Sequence, residues 1–192
     1  MRILQASDHA VLVELRDLSA TLALYRQLLA SPIRGVQELV PAARTVLVRY
    51  RPEEIGRANL DAELRQRART SEDHEAPDQP GRLVEIPVRY DGADLAEVAE
   101  LLGISAAELV RRHTGQPWQA AFAGFAPGFI YMAGGHECFS STPRRPSPRT
   151  RVPAGSVALA GEFSAVYPTA SPGGWQLIGT TGIAMWDLQR PE

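Results

Sequence analysis

From Thr70 to Gly81 the chain reads Thr-Ser-Glu-Asp-His-Glu-Ala-Pro-Asp-Gln-Pro-Gly, without one large apolar residue. Such a stretch buries too little surface to offset the entropy of ordering it, so it connects cores and does not join one. The expectation is two domains, 1–80 including this linker and 81–192. A chain of 192 residues is long enough for two modest cores of this kind.

The first half reads as a small α+β unit of βαββα type. Ala10 to Leu15 is apolar enough for a buried strand, and Ser19 stands where an N-cap precedes a helical run from Thr21 to Ala30. Leu22, Tyr25, Leu28 and Leu29 share one face of that helix, and Pro32 ends it. Val36 to Leu39 and Thr45 to Tyr50 are expected as strands turned at Val40-Pro41-Ala42-Ala43, because Val46, Val48 and Tyr50 alternate with period two. A second helix is expected over Glu53 to Ala68, with Ile55, Leu60 and Leu64 at helical spacing.

The second half opens on an expected strand, Arg82 to Tyr90, in which Pro87 marks an edge or an irregularity. Asp94 is expected to cap a helix running to Leu102 and stopped by Gly103, and Ser105 with Glu108 forms a Ser-x-x-Glu capping box for a helix ending at His113. From Trp118 onward glycine and proline punctuate short apolar runs such as Ala158-Leu159-Ala160 and Trp175-Gln176-Leu177-Ile178. Frequent turns between short strands predict a barrel or a sandwich.

Charge and composition exclude several classes of function. The 20 basic and 22 acidic residues leave a formal charge of -2, so no global field favours nucleic acid or an anionic membrane. No apolar run reaches the length of a membrane span, and the opening Met1 to Leu15 is amphipathic, unlike a secretion signal. A cytoplasmic protein is expected, and the single Cys138 fits a reducing compartment. His9, His74, His113 and His136 are scattered, without metal-ligand spacing, so no metal site is assigned.

Three segments carry the residues suited to chemistry. Phe122 to Tyr131 sets glycines and Pro127 between aromatics, which fits either a ligand wall approached closely by backbone or a tight barrel corner. Thr142 to Ser156 packs Arg144, Arg145, Arg149 and Arg151 into a proline-stiffened loop, read as an anion site or as a solvated basic loop. Tyr167 to Trp175 places Gly173-Gly174 in a turn between aromatics and lacks the pattern of a phosphate-binding loop. His113, at a helix end, reads as a base, a ligand-orienting donor, or a partner of the helix dipole.

Taken in order and spacing, Gly124-Phe125-Ala126-Pro127-Gly128-Phe129-Ile130-Tyr131, Pro143-Arg144, Pro148 to Val157, Tyr167-Pro168 and Ser171-Pro172-Gly173-Gly174-Trp175 resemble the allophanate hydrolase subunit 1 family, also described as the KipI family or the family of 5-oxoprolinase B subunits. Asp8 to Val13 extends the resemblance toward the N-terminus. The resemblance implies a cyclophilin-like β-barrel for the second domain and a non-autonomous subunit of an ATP-dependent 5-oxoprolinase. Its expected partners are a KipA-type subunit 2 and a LamB/YcsF-type third subunit, with Mg2+ accompanying ATP. Inhibition of a sensor histidine kinase and a role in allophanate or urea breakdown are the alternatives that the same family name carries. The chain ends at Pro191-Glu192, before the closing strand common in such proteins, so the partner or a longer chain is expected to complete the barrel.

On that resemblance Arg144, Arg149 and Arg151 are expected to stabilise charge on a lactam or ureido substrate, Tyr131 and Tyr167 to position it, and His113 to handle a proton or orient the ligand. Gly128, Pro153, Gly155, Ser156, Gly173 and Gly174 are expected to shape a cofactor-binding wall.

Overall fold

The structure is a computed structural model that describes residues 1–72, 81–187 and 189. It divides into two compact units, Met1–Arg82 and Leu83–Glu192. Most of the polar stretch read as a linker lies outside the described residues.

The first unit has the order β1 (Arg2–Ser7), β2 (Ala10–Glu14), α1 (Leu18–Ala30), β3 (Val36–Pro41), β4 (Thr45–Tyr50) and α2 (Arg57–Glu72). Its four strands form one antiparallel sheet in the order β1-β2-β4-β3. Alternation puts Val11, Val13, Val46, Val48 and Tyr50 on one face, where Leu24 and Leu28 of α1 and Leu60 and Leu64 of α2 cover them. The expected βαββα unit therefore gains a strand. Nearly all of β1 is exposed, so it lacks the inward apolar alternation that marks a strand in sequence, and its pairing with β2 holds it.

The start of α1 also differs from expectation. Asp17, not Ser19, is the N-cap: its Oδ1 accepts a hydrogen bond from the Ala20 amide at 2.8 Å, and its carbonyl accepts from the Thr21 hydroxyl at 2.8 Å. Asp17→Ala is expected to cost about 1 kcal/mol in thermal unfolding, and Ser19→Ala to stay within about 0.5 kcal/mol of wild type. Equal losses from the two substitutions would return the cap to Ser19.

The second unit carries α3 (Leu95–Leu101), α4 (Ala106–Thr114), β5 (Gln119–Ala123), β6 (Ile130–Ala133), a short 3-10 helix (Glu137–Ser141), β7 (Arg149–Val152), β8 (Ser156–Ala160), β9 (Phe163–Val166), β10 (Ser171–Gly173) and β11 (Gln176–Thr180). Five strands form an antiparallel sheet in the order β11-β8-β9-β6-β5, and β10 pairs with β7 in a separate ribbon. Both faces of the larger sheet are covered, which is why every residue of β8 is buried. Val157, Leu159, Val166 and Ile178 pack on one face with Val98, Leu109 and Phe139. Ala158, Ala160, Ala165, Tyr167 and Leu177 pack on the other with Phe129, Val152 and Trp175.

The strand expected over Arg82 to Tyr90 reduces to one bridge, between Arg89 and Thr180. Leu83 and Val84 are 74% and 61% exposed, so their apolar character is not matched by a sheet face to pack against. The capping box at Ser105 does form on its amide side, with the Ser105 hydroxyl accepting from the Glu108 amide. Glu108 turns instead to Arg111 and Arg112, which hold its carboxyl at a pKa of about 2 through their hydrogen bonds.

Candidate functional site

The glycine-rich corner between β5 and β6 consists of two turns in series. The Ala126 amide donates to the Gly124 carbonyl at 2.8 Å around Phe125, whose φ is +69°, which makes a γ-turn of the rare positive-φ kind. The Phe129 amide then donates to the Ala126 carbonyl at 3.0 Å across Pro127 and Gly128, the latter at φ +78°, as a type II turn requires. The Gly124 amide closes the loop on the Phe129 carbonyl at 3.2 Å.

This corner seats Phe129 at the centre of an aromatic cluster on one face of the large sheet. Phe129 meets Phe125, Tyr131, Tyr167 and Trp175 edge to face, with centroids 5.1 to 5.5 Å apart. Tyr131 stacks on Phe122 at 4.4 Å and meets Trp175 at 5.5 Å. The Arg144 guanidinium lies 6.0 Å from the Trp175 ring centroid, a cation over an aromatic face. Burial pushes the Tyr167 hydroxyl above its ordinary pKa, against a hydrogen bond with the Trp175 backbone and the positive charge of Arg144. Arg144, Tyr131 and Tyr167 are thus brought together, joined by Phe129 and Trp175, motif aromatics that had no individual role in the sequence.

Arg149 takes a different partner. Its Nη2 donates to Asp94 Oδ1 at 2.6 Å, Arg145 Nη1 donates to the same oxygen at 2.8 Å, and Asp94 Oδ2 accepts from the Leu177 amide at 2.7 Å. Asp94, 2% exposed, occupies the first position before α3 but makes no cap bond with its side chain. Burial alone would raise its carboxyl. Hydrogen bonds from Arg149 and Leu177, with the charges of Arg149 and Arg145, reverse that and hold it below the ordinary carboxylate range. Arg149 thus serves as structure as much as charge, its Nη1 and the Nε of Arg145 being buried without a partner among the described residues. Arg151, two residues further along β7, is exposed.

His113 stands apart from the arginines. Its Nδ1 lies 2.8 Å from the Tyr90 hydroxyl and its Nε2 3.0 Å from the Ser164 hydroxyl, among the rings of Trp118 and Phe139. Ser164 and Val166 alternate with Ala165 and Tyr167, so His113 lies on the sheet face opposite the aromatic cluster. Burial lowers its pKa to about 4 and keeps the ring neutral. Placed so, both ring nitrogens serve the core, and the expected proton-handling role at the arginine loops lacks the geometry for it.

Three of the four glycines expected to form a cofactor wall, Gly128, Gly155 and Gly173, are closely packed by the chain's own atoms, and Gly174 is in ordinary contact with Pro148. A Cβ on Gly128 would meet the Met185 carbonyl at 2.7 Å, one on Gly155 would run into the Thr181 carbonyl, and one on Gly173 into the Tyr167 hydroxyl. Gly155, at φ +77°, turns the chain between Pro153 and Ser156, whose amide donates to the Pro153 carbonyl at 3.3 Å. Ser156 is buried, and the Gly174 carbonyl accepts from the Arg145 amide at 2.7 Å. Gly128, Gly155, Gly173 and Ser156 thus brace the loops from within. Among the described residues no three His, Cys, Asp or Glu side chains gather as metal ligands, and no helix is long and apolar enough to cross a membrane.

Across residues 1–192 the chain matches the family described as carboxyltransferase domain, subdomain C and D. It is 42% identical over 162 residues to the 5-oxoprolinase B subunit of Escherichia coli O157:H7, covering 82% of this chain and 72% of that one. To the corresponding 5-oxoprolinase B subunit of Bacillus subtilis (strain 168) it is 37% identical over 175 residues, covering 84% and 70%. Among solved structures, the crystal structure of TTHA0988 in space group P6522 superposes with a TM-score of 0.74 at 35% identity, and the match covers 96% of this chain but 36% of the longer one.

Proposed function

We propose, since the chain belongs to the carboxyltransferase subdomain C and D family and, within it, to the 5-oxoprolinase B subunits, that it is a non-autonomous component of an ATP-dependent enzyme that opens 5-oxoproline to glutamate. The observation that carries this reading is the placement of Arg144 over Trp175 beside Tyr167, on loops that hold the sequence motifs of the family. A guanidinium beside an aromatic face suits a small carboxylate carried on a compact ring, and 5-oxoproline is such a molecule.

A lactam is a poor electrophile, and ATP supplies the activation that lets water attack it. We assign ATP and its Mg2+ to the partner subunits, because Gly128, Gly155 and Gly173 are packed by atoms of this chain itself. In this reading Arg144 holds the substrate carboxylate, the exposed Arg151 adds to the positive charge of the arginine loop, and Tyr131 and Tyr167 fix the aromatic wall. Arg145 and Arg149, locked on Asp94, keep the loop in place. The partners are a KipA-type subunit 2 and a LamB/YcsF-type subunit, in the cytoplasm. The two units are read as domains 1–80 and 81–192, the second of cyclophilin-like barrel architecture, a reading favoured by the two compact units and by the many short antiparallel strands of the second.

The test is reconstitution of the three subunits with 5-oxoproline-dependent ATP hydrolysis as the readout. The isolated chain is expected to be inactive and the complex active; an inactive complex, or one turning over allophanate in place of 5-oxoproline, overturns the reading. Arg144→Ala is expected to raise KM for 5-oxoproline about tenfold to a hundredfold, the loss of one charge-assisted contact, while the melting temperature stays unchanged. An unaltered KM would remove Arg144 from the site.

A further inference from the structure

We infer that Phe125 contacts the substrate directly, as the apolar surface against which the ring of a small cyclic carboxylate lies while Arg144 holds its charge. The inference rests on the functional reading above and adds to it a residue that sets specificity for the ring.

Among the described residues Phe125 is the one non-glycine residue with positive φ, at +69°. A bulky side chain there costs about 1–3 kcal/mol of backbone strain. Burial ordinarily repays such a cost, yet Phe125 is 61% exposed. The loop has no room to relax it away: Gly128 packs against the Met185 carbonyl and the Trp186 side chain, and the turn bonds on either side fix the chain. The strain therefore holds a large apolar ring at the surface, an arrangement that folding alone does not select.

The position of that ring indicates its use. Phe125 meets Phe129 at 5.2 Å and Tyr167 at 6.3 Å, centroid to centroid. Tyr167 is also the phenol that feels the charge of Arg144, and Arg144 in turn lies over Trp175. An exposed aromatic face and an exposed guanidinium thus flank one buried tyrosine. A ligand that uses both must join an anionic group to a compact ring with a face to lay on the arene, as a lactam acid does and a linear ureido acid does not.

Phe125→Gly and Phe125→Ala in the reconstituted complex test this. Both are expected to raise KM for 5-oxoproline about three- to tenfold, the worth of one aromatic contact, with kcat within about twofold of wild type. Complex assembly, followed by size-exclusion chromatography, is expected to be unchanged. Phe125→Gly is expected to melt above Phe125→Ala, because glycine adopts the positive φ without strain. An active wild-type complex with wild-type KM in both variants overturns the inference and leaves the functional reading intact, and loss of assembly instead makes Phe125 an inter-subunit contact and also overturns it. A wild-type complex without 5-oxoproline turnover removes both.

Discussion

Asp94→Ala is expected to destabilise the second unit by about 3 kcal/mol, the largest loss that any single substitution among the loop residues should produce. Both carboxylate oxygens are occupied, Oδ1 by Arg145 and Arg149 and Oδ2 by the Leu177 amide, and the carboxylate is almost wholly out of water. Removing it strands the buried Leu177 amide and two guanidinium groups that already lack a partner at Arg145 Nε and Arg149 Nη1. In thermal unfolding the drop corresponds to about 10 °C. Asp94→Asn keeps an acceptor for one arginine and is expected to lose roughly half as much.

Because this carboxylate ties the arginine loop to β11 and to the start of α3, alongside the bond from Gln176 Nε2 to the Pro143 carbonyl and the pairing of Arg145 with Glu97, the same substitution is expected to loosen Arg144 and raise KM. A double-mutant cycle between Asp94→Ala and Arg149→Met is expected to give a coupling of at least about 1 kcal/mol. If Asp94→Ala melted with the wild type, the carboxylate would be a bystander and the loop would owe its shape to its prolines. The pH dependence has a defined sign. The folded carboxyl is held below its ordinary pKa of 3.8, so this contribution is complete above that value and is lost as the pH falls beneath it.

The elements most legible in the sequence were those with strong local signals. Strand β2 is an apolar run and β4 alternates with period two, Pro32 stops α1, and the Ser105 hydroxyl caps α4, although Glu108 does not complete the box. The glycine-rich corner was legible as a corner because Pro127-Gly128 specifies a type II turn by itself. Arg82 to Tyr90 misled because apolar residues were present but no neighbour was, and strand formation is a property of the pair.

The site was legible in part for the same reason. Arg144 and Tyr167 lie on motif loops and Tyr131 in β6 just after one, and their convergence needs only that these segments meet. Asp94 precedes the arginines by some fifty residues and its local context is that of a helix cap, so nothing nearby marks it as their counter-ion. His113 shows the converse: its position at a helix end invites a functional role, but the face on which it lies is decided by β9, whose Ser164 receives it.

That placement sets the last expected result. His113 is held neutral by burial, with its pKa lowered from 6.5 to about 4, and its two nitrogens are bonded to hydroxyls, one accepting and one donating in the neutral ring. A group whose folded pKa is depressed contributes full stability above its unfolded value, and the contribution is lost as the pH falls toward the folded one. Between pH 6.5 and about 4 the unfolded chain binds a proton that the folded chain refuses, so stability should fall by about 1.4 kcal/mol per pH unit and about 3 kcal/mol across the window. Denaturant titrations of the full chain at stepped pH measure this, with His113→Asn as the comparison. The variant is expected to be weaker than wild type at neutral pH, having lost the ring contacts with Trp118 and Phe139, yet to lack this part of the acid dependence. A wild-type slope that His113→Asn reproduces would mean that the ring titrates freely, and the pair of hydroxyls around it would then have to be read as ligands of a charged imidazolium.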